Sequence, residues 1–385
     1  MTRPGTPRAR ARRALALASA MLLACVGPGA RAATAPPFSP ARVDSIDRLV
    51  KRFMASQHVP GLSMAMVVDG RRAWSKGYGF ADLETRVKAS DSTMYRCASI
   101  GKSMTATAAM QLVEAGKLDT AADMRNYCSA FPPKRWIITP LDLLRHTSGI
   151  RHYGGPHDDA EQYSTIHFSS VSDALTPFKD DTLAFQPGTR WLYSTYGYDV
   201  LGCVIEGASG SSLLDYMRAH VWGPAGMKLT RDDDPLAIVP HRAAGYAMYS
   251  GVVGRARMAD MSNRMAAGCY LTTVDDLARF IEAMLANRLV RAETFQRMIT
   301  PTHVPVGEQP SYGLGWGVET EPWQDDTYVF HGGSSPGVSG MLVVMPRHRF
   351  AVVFLANLED IPGQARGDLA EDVTRLMLGF KPRTP

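Results

Sequence analysis

Cysteine is scarce in this chain and poorly spaced for metal binding. Five occur in 385 residues, and no two form the CxxC step of a structural zinc site. HExxH is missing as well. A surplus of one charge is missing from most of the chain. The formal charge is +5, but Arg3, Arg8, Arg10, Arg12, Arg13 and Arg31 lie in residues 1–32 with no acid beside them, so the remainder carries −1. A near-neutral body argues against nucleic acid as a partner. Long apolar runs are lacking too: Ala14–Val26 is too short to span a bilayer as a mature helix, and nothing later is apolar enough.

The first 32 residues have the order of a signal peptide. An arginine-rich start precedes the apolar run, Gly27-Pro28-Gly29 breaks it, and Ala30-Arg31-Ala32 supplies a small-x-small cleavage site. Export to the periplasm or outside the cell is therefore expected. Leu22-Leu23-Ala24-Cys25 also resembles a lipoprotein box, which would leave a lipid tether on Cys25. An oxidising compartment permits a disulfide. Pairing among Cys97, Cys128, Cys203 and Cys269 stays open, with buried free thiols expected at Cys97 and Cys203, which sit in apolar surroundings.

Hydrophobic periodicity divides residues 33–385. Arg42–Gln57 is helical in pattern, and Gly61–Val68 and Arg71–Tyr78 flank Asp69-Gly70, a hairpin signal. A helix is expected from about Ser99 to Ala115. "TPLDLLRHTSGI" has Thr139 as N-cap and Pro140 at N1, closing at Gly149. "YGYDVLGCVIEGASG" and "TTVDDLARFIEAMLAN" are amphipathic helices. Beyond about residue 310, "YGLGWGVET", "DTYVFHGG", "GVSGMLVVMP" and "RFAVVFLAN" read as strands in a meander, and a last helix covers about Gly363–Leu378. The expected fold is α+β. An antiparallel sheet subdomain (about 41–117 and 290–380) is flanked by helices, with a mostly helical subdomain (about 118–289) inserted.

Ser99 and Lys102 stand three residues apart at the start of an apolar helix, so they share a face. A serine hydroxyl needs a partner to take its proton. A lysine in an apolar site has a depressed pKa and can be that partner. The N–H of Ser99 at the helix start can also face a developing oxyanion. Ser-x-x-Lys alone is a short pattern, but Tyr193-Ser194-Thr195 and His331-Gly332-Gly333 follow in the order such a site needs.

With these segments the sequence resembles the serine β-lactamase and penicillin-binding family, in its class C β-lactamase, D-alanyl-D-alanine carboxypeptidase and esterase branch. The likeness runs from about Val43 to Phe380, through "CASIGKSMTA", "LLRHTSGI", "PGTRWLYSTYGYDVLG", "YGLGWGV" and "HGGSSPGVSG". "YSTxGY" and "SGIRHY" share the look of the mitochondrial β-lactamase-like serine protein. The resemblance implies a β-lactamase/transpeptidase-like fold and an acyl-enzyme without metal or organic cofactor. Ser99 would be the nucleophile, Lys102 its proton partner, and Tyr193 the general base and then the donor to the leaving group. His331 would replace the lysine of Lys-Thr-Gly, and Gly333 would let the strand edge approach a small-molecule or peptide substrate. The N–H groups of Ser99 and Ser334 would form the oxyanion hole.

Two departures bear on substrate. Thr195 stands where Tyr-x-Asn has an amide, which weakens the case for β-lactam recognition more than that for acyl transfer. His331 lacks a fixed charge near neutral pH, so a substrate carboxylate would bind there in a pH-dependent way, or an uncharged substrate would be preferred. The expected activity is hydrolysis of a peptide, amide or ester. A β-lactamase or D-alanyl-D-alanine carboxypeptidase is the alternative.

Competing readings fall on the same segments. Gly333-Ser334-Ser335-Pro336-Gly337 fits the Gly-x-Ser-x-Gly elbow, but Pro336 has no N–H to give an oxyanion. "RHYGGPHDD", with His152, His157, Asp158, Asp159 and downstream His167, lacks a metal-ligand spacing and reads as a polar loop. His146 is expected to be structural, bonding carbonyls at a helix end. A non-catalytic binding protein on this fold would be expected to lose Ser99, Lys102 or Tyr193, and all three are present.

Overall fold

Strands from the two ends of the sequence alternate in polarity and meet in one antiparallel sheet. The computed structural model describes residues 38–154, 158–321, 326–381 and 383. The expected leader, Cys25 and His157 lie outside the described residues. From the N-terminal part come β1 (Gly61–Val68), β2 (Arg71–Asp82) and β3 (Val87–Lys88). From the C-terminal part come β4 (Gly317–Glu321), β5 (Asp326–Ser335), β6 (Val338–Met345) and β7 (Phe350–Ala356). Their order is β3-β2-β1-β7-β6-β5-β4, so β1 and β7 close the sheet, with Leu62 opposite Ala356 and Val67 opposite Ala351.

Both central strands are buried on both faces, each face filled by alternate residues. Met64, Met66, Val352 and Phe354 pack with Ile46, Val50 and Val373 from the terminal helices α1 (Pro40–Ser56) and α6 (Gly363–Leu378). Ala65, Val67, Val353 and Leu355 face the larger core. That core holds Met104 of α2 (Gly101–Glu114), Leu143 of α3 (Pro140–Leu144), Val200 of α4 (Thr195–Ser209) and Leu277 of α5 (Val274–Leu285). Among the described residues no helix is long and apolar enough to cross a membrane.

Side chains fix where the helices start. Thr139 and Asp142 form a reciprocal capping box with Pro140 behind it. Ser194 accepts the N–H of Gly197 at the start of α4, and Thr273 accepts that of Asp276 at the start of α5. Three expected boundaries move. The helix expected from Ser99 is a 3-10 turn over Ala98–Ile100 before α2 begins. The helix expected to run toward Gly149 stops at Leu144, because His146 takes φ 61. The strand expected over "YGLGWGVET" begins only at Gly317, since the chain before it folds over α2, where the Ser103 hydroxyl donates to Gly315 O at 2.7 Å.

Cys203 is not the free thiol the sequence suggested. It is bonded to Cys128 across a sequence separation of 75, tying α4 to the loop after the turn Met124–Asn126. Apolar surroundings fit a buried disulfide as well as a buried thiol. A loop of that length contributes about 4 kcal/mol in the chain-entropy account. Cys97 and Cys269 are buried and free.

Candidate active site

The nucleophile turn is held in an unfavourable backbone state. Ala98, immediately before Ser99, has φ 47, a left-handed conformation that costs an alanine of order 1 kcal/mol or more. Two glycines make the turn possible. Gly268 passes so close that an added Cβ would lie 1.8 Å from Ala98 O, and it has φ +131 itself. At Gly333 of β5 a Cβ would meet Cys97 O at 2.9 Å and Ser99 N at 3.3 Å. The strand therefore lies directly against the turn that carries Ser99.

Lys102 is wholly buried one turn into the helix. Its Nζ donates to Ser99 Oγ at 3.0 Å, Thr195 Oγ1 at 3.2 Å and Ala267 O at 3.2 Å, and stands over the rings of Tyr193 (5.0 Å) and Tyr198 (5.7 Å). Loss of hydration pushes the ammonium down to about 8. Tyr193 is hydrogen-bonded to Ser99, but desolvation moves its phenol the other way, above its ordinary value. Of the two groups beside Ser99, the lysine is the easier to reach in its basic form.

Two neutral histidines brace the chain that carries Tyr193 and Thr195. His146 Nδ1 accepts the N–H of Ser194 at 3.1 Å, and His152 Nδ1 accepts that of Thr195 at 3.1 Å. His146 is thus structural, as expected, but it bonds an N–H rather than carbonyls. Desolvation, then the charge of Lys102, pushes both rings down, His152 to about 3. Elsewhere in the polar loop, His167 pairs with Asp260 at 2.8 Å.

His331, in β5, is buried and faces the same space. Its Nδ1 lies 2.7 Å from Gly332 O, an acceptor only, so the proton sits on Nδ1. Nε2 then accepts from the Tyr312 hydroxyl at 3.0 Å. Desolvation foremost, then Lys102, pushes the ring down to about 3. The ring is therefore neutral near neutral pH.

Ser334 follows at the half-exposed end of β5, its hydroxyl donating to Asp360 at 3.2 Å. β4 pairs with β5 only as far as Phe330, leaving the later edge of β5 open beside Ser99. The Gly-x-Ser-x-Gly segment runs from β5 through a turn into β6, without the helix that a hydrolase elbow needs.

Ser99, Tyr193, His331, Gly333 and Ser334 line one cavity of about 530 Å³, with Trp191, Tyr312 and Phe330 as aromatic walls. Thr195 lies behind it, bonded to Lys102. The candidate residues Ser99, Lys102, Tyr193, Thr195, His331, Gly333 and Ser334 thus lie at or directly behind this cavity. Sequence reasoning missed Arg366 of α6, which also lines the cavity. Its guanidinium donates to Gly333 O at 2.7 Å and Gly340 O at 2.8 Å, and no carboxylate among the described residues is within ion-pair distance. An arginine on a surface-patterned helix gives no sign of this place.

Comparison with known proteins places the geometry in context. The sequence model described as Beta-lactamase matches residues 46–374. The mouse serine beta-lactamase-like protein LACTB, mitochondrial, is 28% identical, over 83% of this chain and 76% of its own length. Protein flp of Staphylococcus aureus strain MW2 is 27% identical over 81% of this chain, which spans 62% of that protein. Among solved structures, the octameric penicillin-binding protein homologue from Pyrococcus abyssi superposes with TM-score 0.77 at 26% identity, covering 88% of this chain and 78% of the other. A D-stereospecific amidohydrolase from Streptomyces shares the fold, with TM-score 0.71 at 22% identity and coverage of 85% and 98%.

Proposed function

The chain belongs to the beta-lactamase family, and from that membership we propose an exported serine hydrolase that works through an acyl-enzyme on peptide, amide or ester substrates. The observation that carries this reading is the buried Lys102 Nζ, 3.0 Å from Ser99 Oγ and poised near pH 8. In its neutral form the amine accepts the proton of Ser99 as Oγ attacks the substrate carbonyl. The N–H groups of Ser99 and Ser334 receive the oxyanion.

The scissile C–N or C–O bond then breaks. Tyr193, kept as a phenol by its surroundings, gives its proton to the leaving group and recovers one from Lys102. Water then attacks the ester on Ser99, with the same groups carrying the proton back. This division of labour makes Lys102 the first acceptor and Tyr193 the donor. It follows from the opposite directions in which burial moves the two groups. Thr195 holds the amine against Ser99.

Export is supported by the leader-like first 32 residues and by the Cys128–Cys203 disulfide, a bond suited to an oxidising compartment. A lipid on Cys25 would tether the protein. One observation favours a second reading, a D-alanyl-D-alanine carboxypeptidase or β-lactamase: Arg366 offers the cavity a fixed cation for a substrate carboxylate.

Intact-protein mass spectrometry after exposure to an activated ester, and separately to a penicillin, tests these readings on wild type and Ser99→Ala. Adducts on wild type only support the acyl-enzyme. A stable penicillin adduct or hydrolysis of the penicillin selects the second reading, and ester acylation with neither selects the first. Turnover or labelling that survives in Ser99→Ala refutes both.

A further inference from the structure

The reaction outlined above leaves one deeply buried acid unused. Asp199 lies on α4 one helical turn beyond Thr195, on the same face. It is 0% exposed, and neither carboxyl oxygen has a fully formed hydrogen bond among the described residues. The backbone N–H groups of Ala266 and Ala267 favour its ionised form, and the carbonyl of Ala267 accepts from Lys102. Its charge interacts with Lys102 and Arg264, yet no ion pair within 4 Å is made with either. A buried carboxyl with no fully formed hydrogen bond is costly to ionise, so its retention beside a buried lysine calls for a reason.

We propose that Asp199 is a positioning residue for the reaction at Ser99, its buried carboxyl setting the proton occupancy of Lys102. The inference rests on the acyl-enzyme reading for its function, but its electrostatic content can be measured separately. The surroundings define the sign. Lys102 is faced by Tyr198 and Asp199 from α4 and by Tyr193 from the chain just before it. From neighbouring segments it is faced by Arg264, by Tyr153, His146 and His152, by His331 of β5, and by Cys97. Asp199 is in turn faced by Lys102, Arg264, Tyr196 and Tyr270.

Asp199 is the carboxyl in this group, and Arg264 is the fixed cation. Burial raises the acid to about 8 and lowers the lysine to about 8, so the two titrate over the same range. An ionised Asp199 favours the ammonium. Its removal takes away one of the interactions that favour the ammonium against Arg264, beside those of Tyr153 and Cys97, and the amine then becomes neutral at lower pH.

The test uses full-length protein carrying [ε-13C]lysine, with the Lys102 signal assigned by Lys102→Arg. Asp199→Asn and Asp199→Ser are compared with wild type for the Lys102 midpoint and for the pH dependence of Ser99 labelling by a fluorophosphonate. Thermal unfolding monitors folding. The expected result is a fall of about one unit in the midpoint of both variants, with labelling near pH 8, where Asp199 ionises, faster than in wild type. A merely structural role would lower labelling at every pH and leave the midpoint alone, and that outcome overturns the proposal. If either variant fails to fold, the other decides. Absence of labelling in wild type would sink the acyl-enzyme reading, while the lysine midpoint would still report on Asp199.

Discussion

Two basic side chains, Lys102 on α2 and His331 on β5, are buried near Ser99, and burial treats them differently. Both are pushed down mainly by loss of hydration. The lysine starts near 10.5 and stops at about 8, within reach of a working pH. The histidine starts near 6.5 and falls to about 3, outside it. The same desolvation therefore poises one group and silences the other. Hydrogen bonding reinforces the contrast. Lys102 donates to three oxygens, whereas His331 is fixed as a neutral tautomer between Gly332 O and the Tyr312 hydroxyl. A lysine can thus do proton chemistry in this cavity, and a histidine serves as a shaped neutral donor-acceptor.

The largest test of that contrast removes the poised partner. Lys102→Met is expected to slow acylation of Ser99 by about 10²–10⁴-fold, read as the rate of ester-derived adduct formation at pH 8.5. His331→Gln should lose far less, and equal losses would erase the distinction. A pH series on wild type sharpens it. Only neutral Lys102 accepts a proton, so the acylation rate should climb with rising pH, bend at about 8 and level off above it. An inflection between pH 5 and 7 that disappears in His331→Gln would show that the histidine titrates after all. The smallest effect is expected from Tyr312→Phe. Losing the hydroxyl that donates to Nε2 removes a bond to the neutral ring, so the His331 midpoint should rise by about a unit. NMR titration of the ring would read it, and a midpoint unchanged or lowered would mean the hydroxyl does not hold the tautomer.

Much of the framework was legible from local chemistry. Thr139 and Pro140 announced the start of α3, Asp69-Gly70 the first hairpin, and the short continuous apolar run in "RFAVVFLAN" a central strand. These signals depend on residues close in sequence, which is why they survive without tertiary information. Ser99 and Lys102 were legible as neighbours for the same reason, since three residues on a helix fix a shared face. Tyr193 and His331 were legible only by resemblance, because nothing local tells a cavity tyrosine from a packed one.

The less legible features involve partners far apart in the chain. Cys203 looked like a packed thiol until α4 was set against the loop bearing Cys128, 75 residues earlier. Ala98 looked like an ordinary helix residue, and its left-handed φ is imposed by Gly268 and Gly333 arriving from other elements. Arg366 and Asp199 each sit on a helix whose pattern reads as ordinary. Their places beside the cavity and beside Lys102 come from how α6 and α4 dock.

By itself, then, the sequence determined the elements, the Ser-x-x-Lys face and the chemical types available. The tertiary structure decided what those types can do. A pKa, a tautomer and a strained turn are set by solvent exclusion and by groups brought from distant segments, and neither is encoded in neighbouring residues.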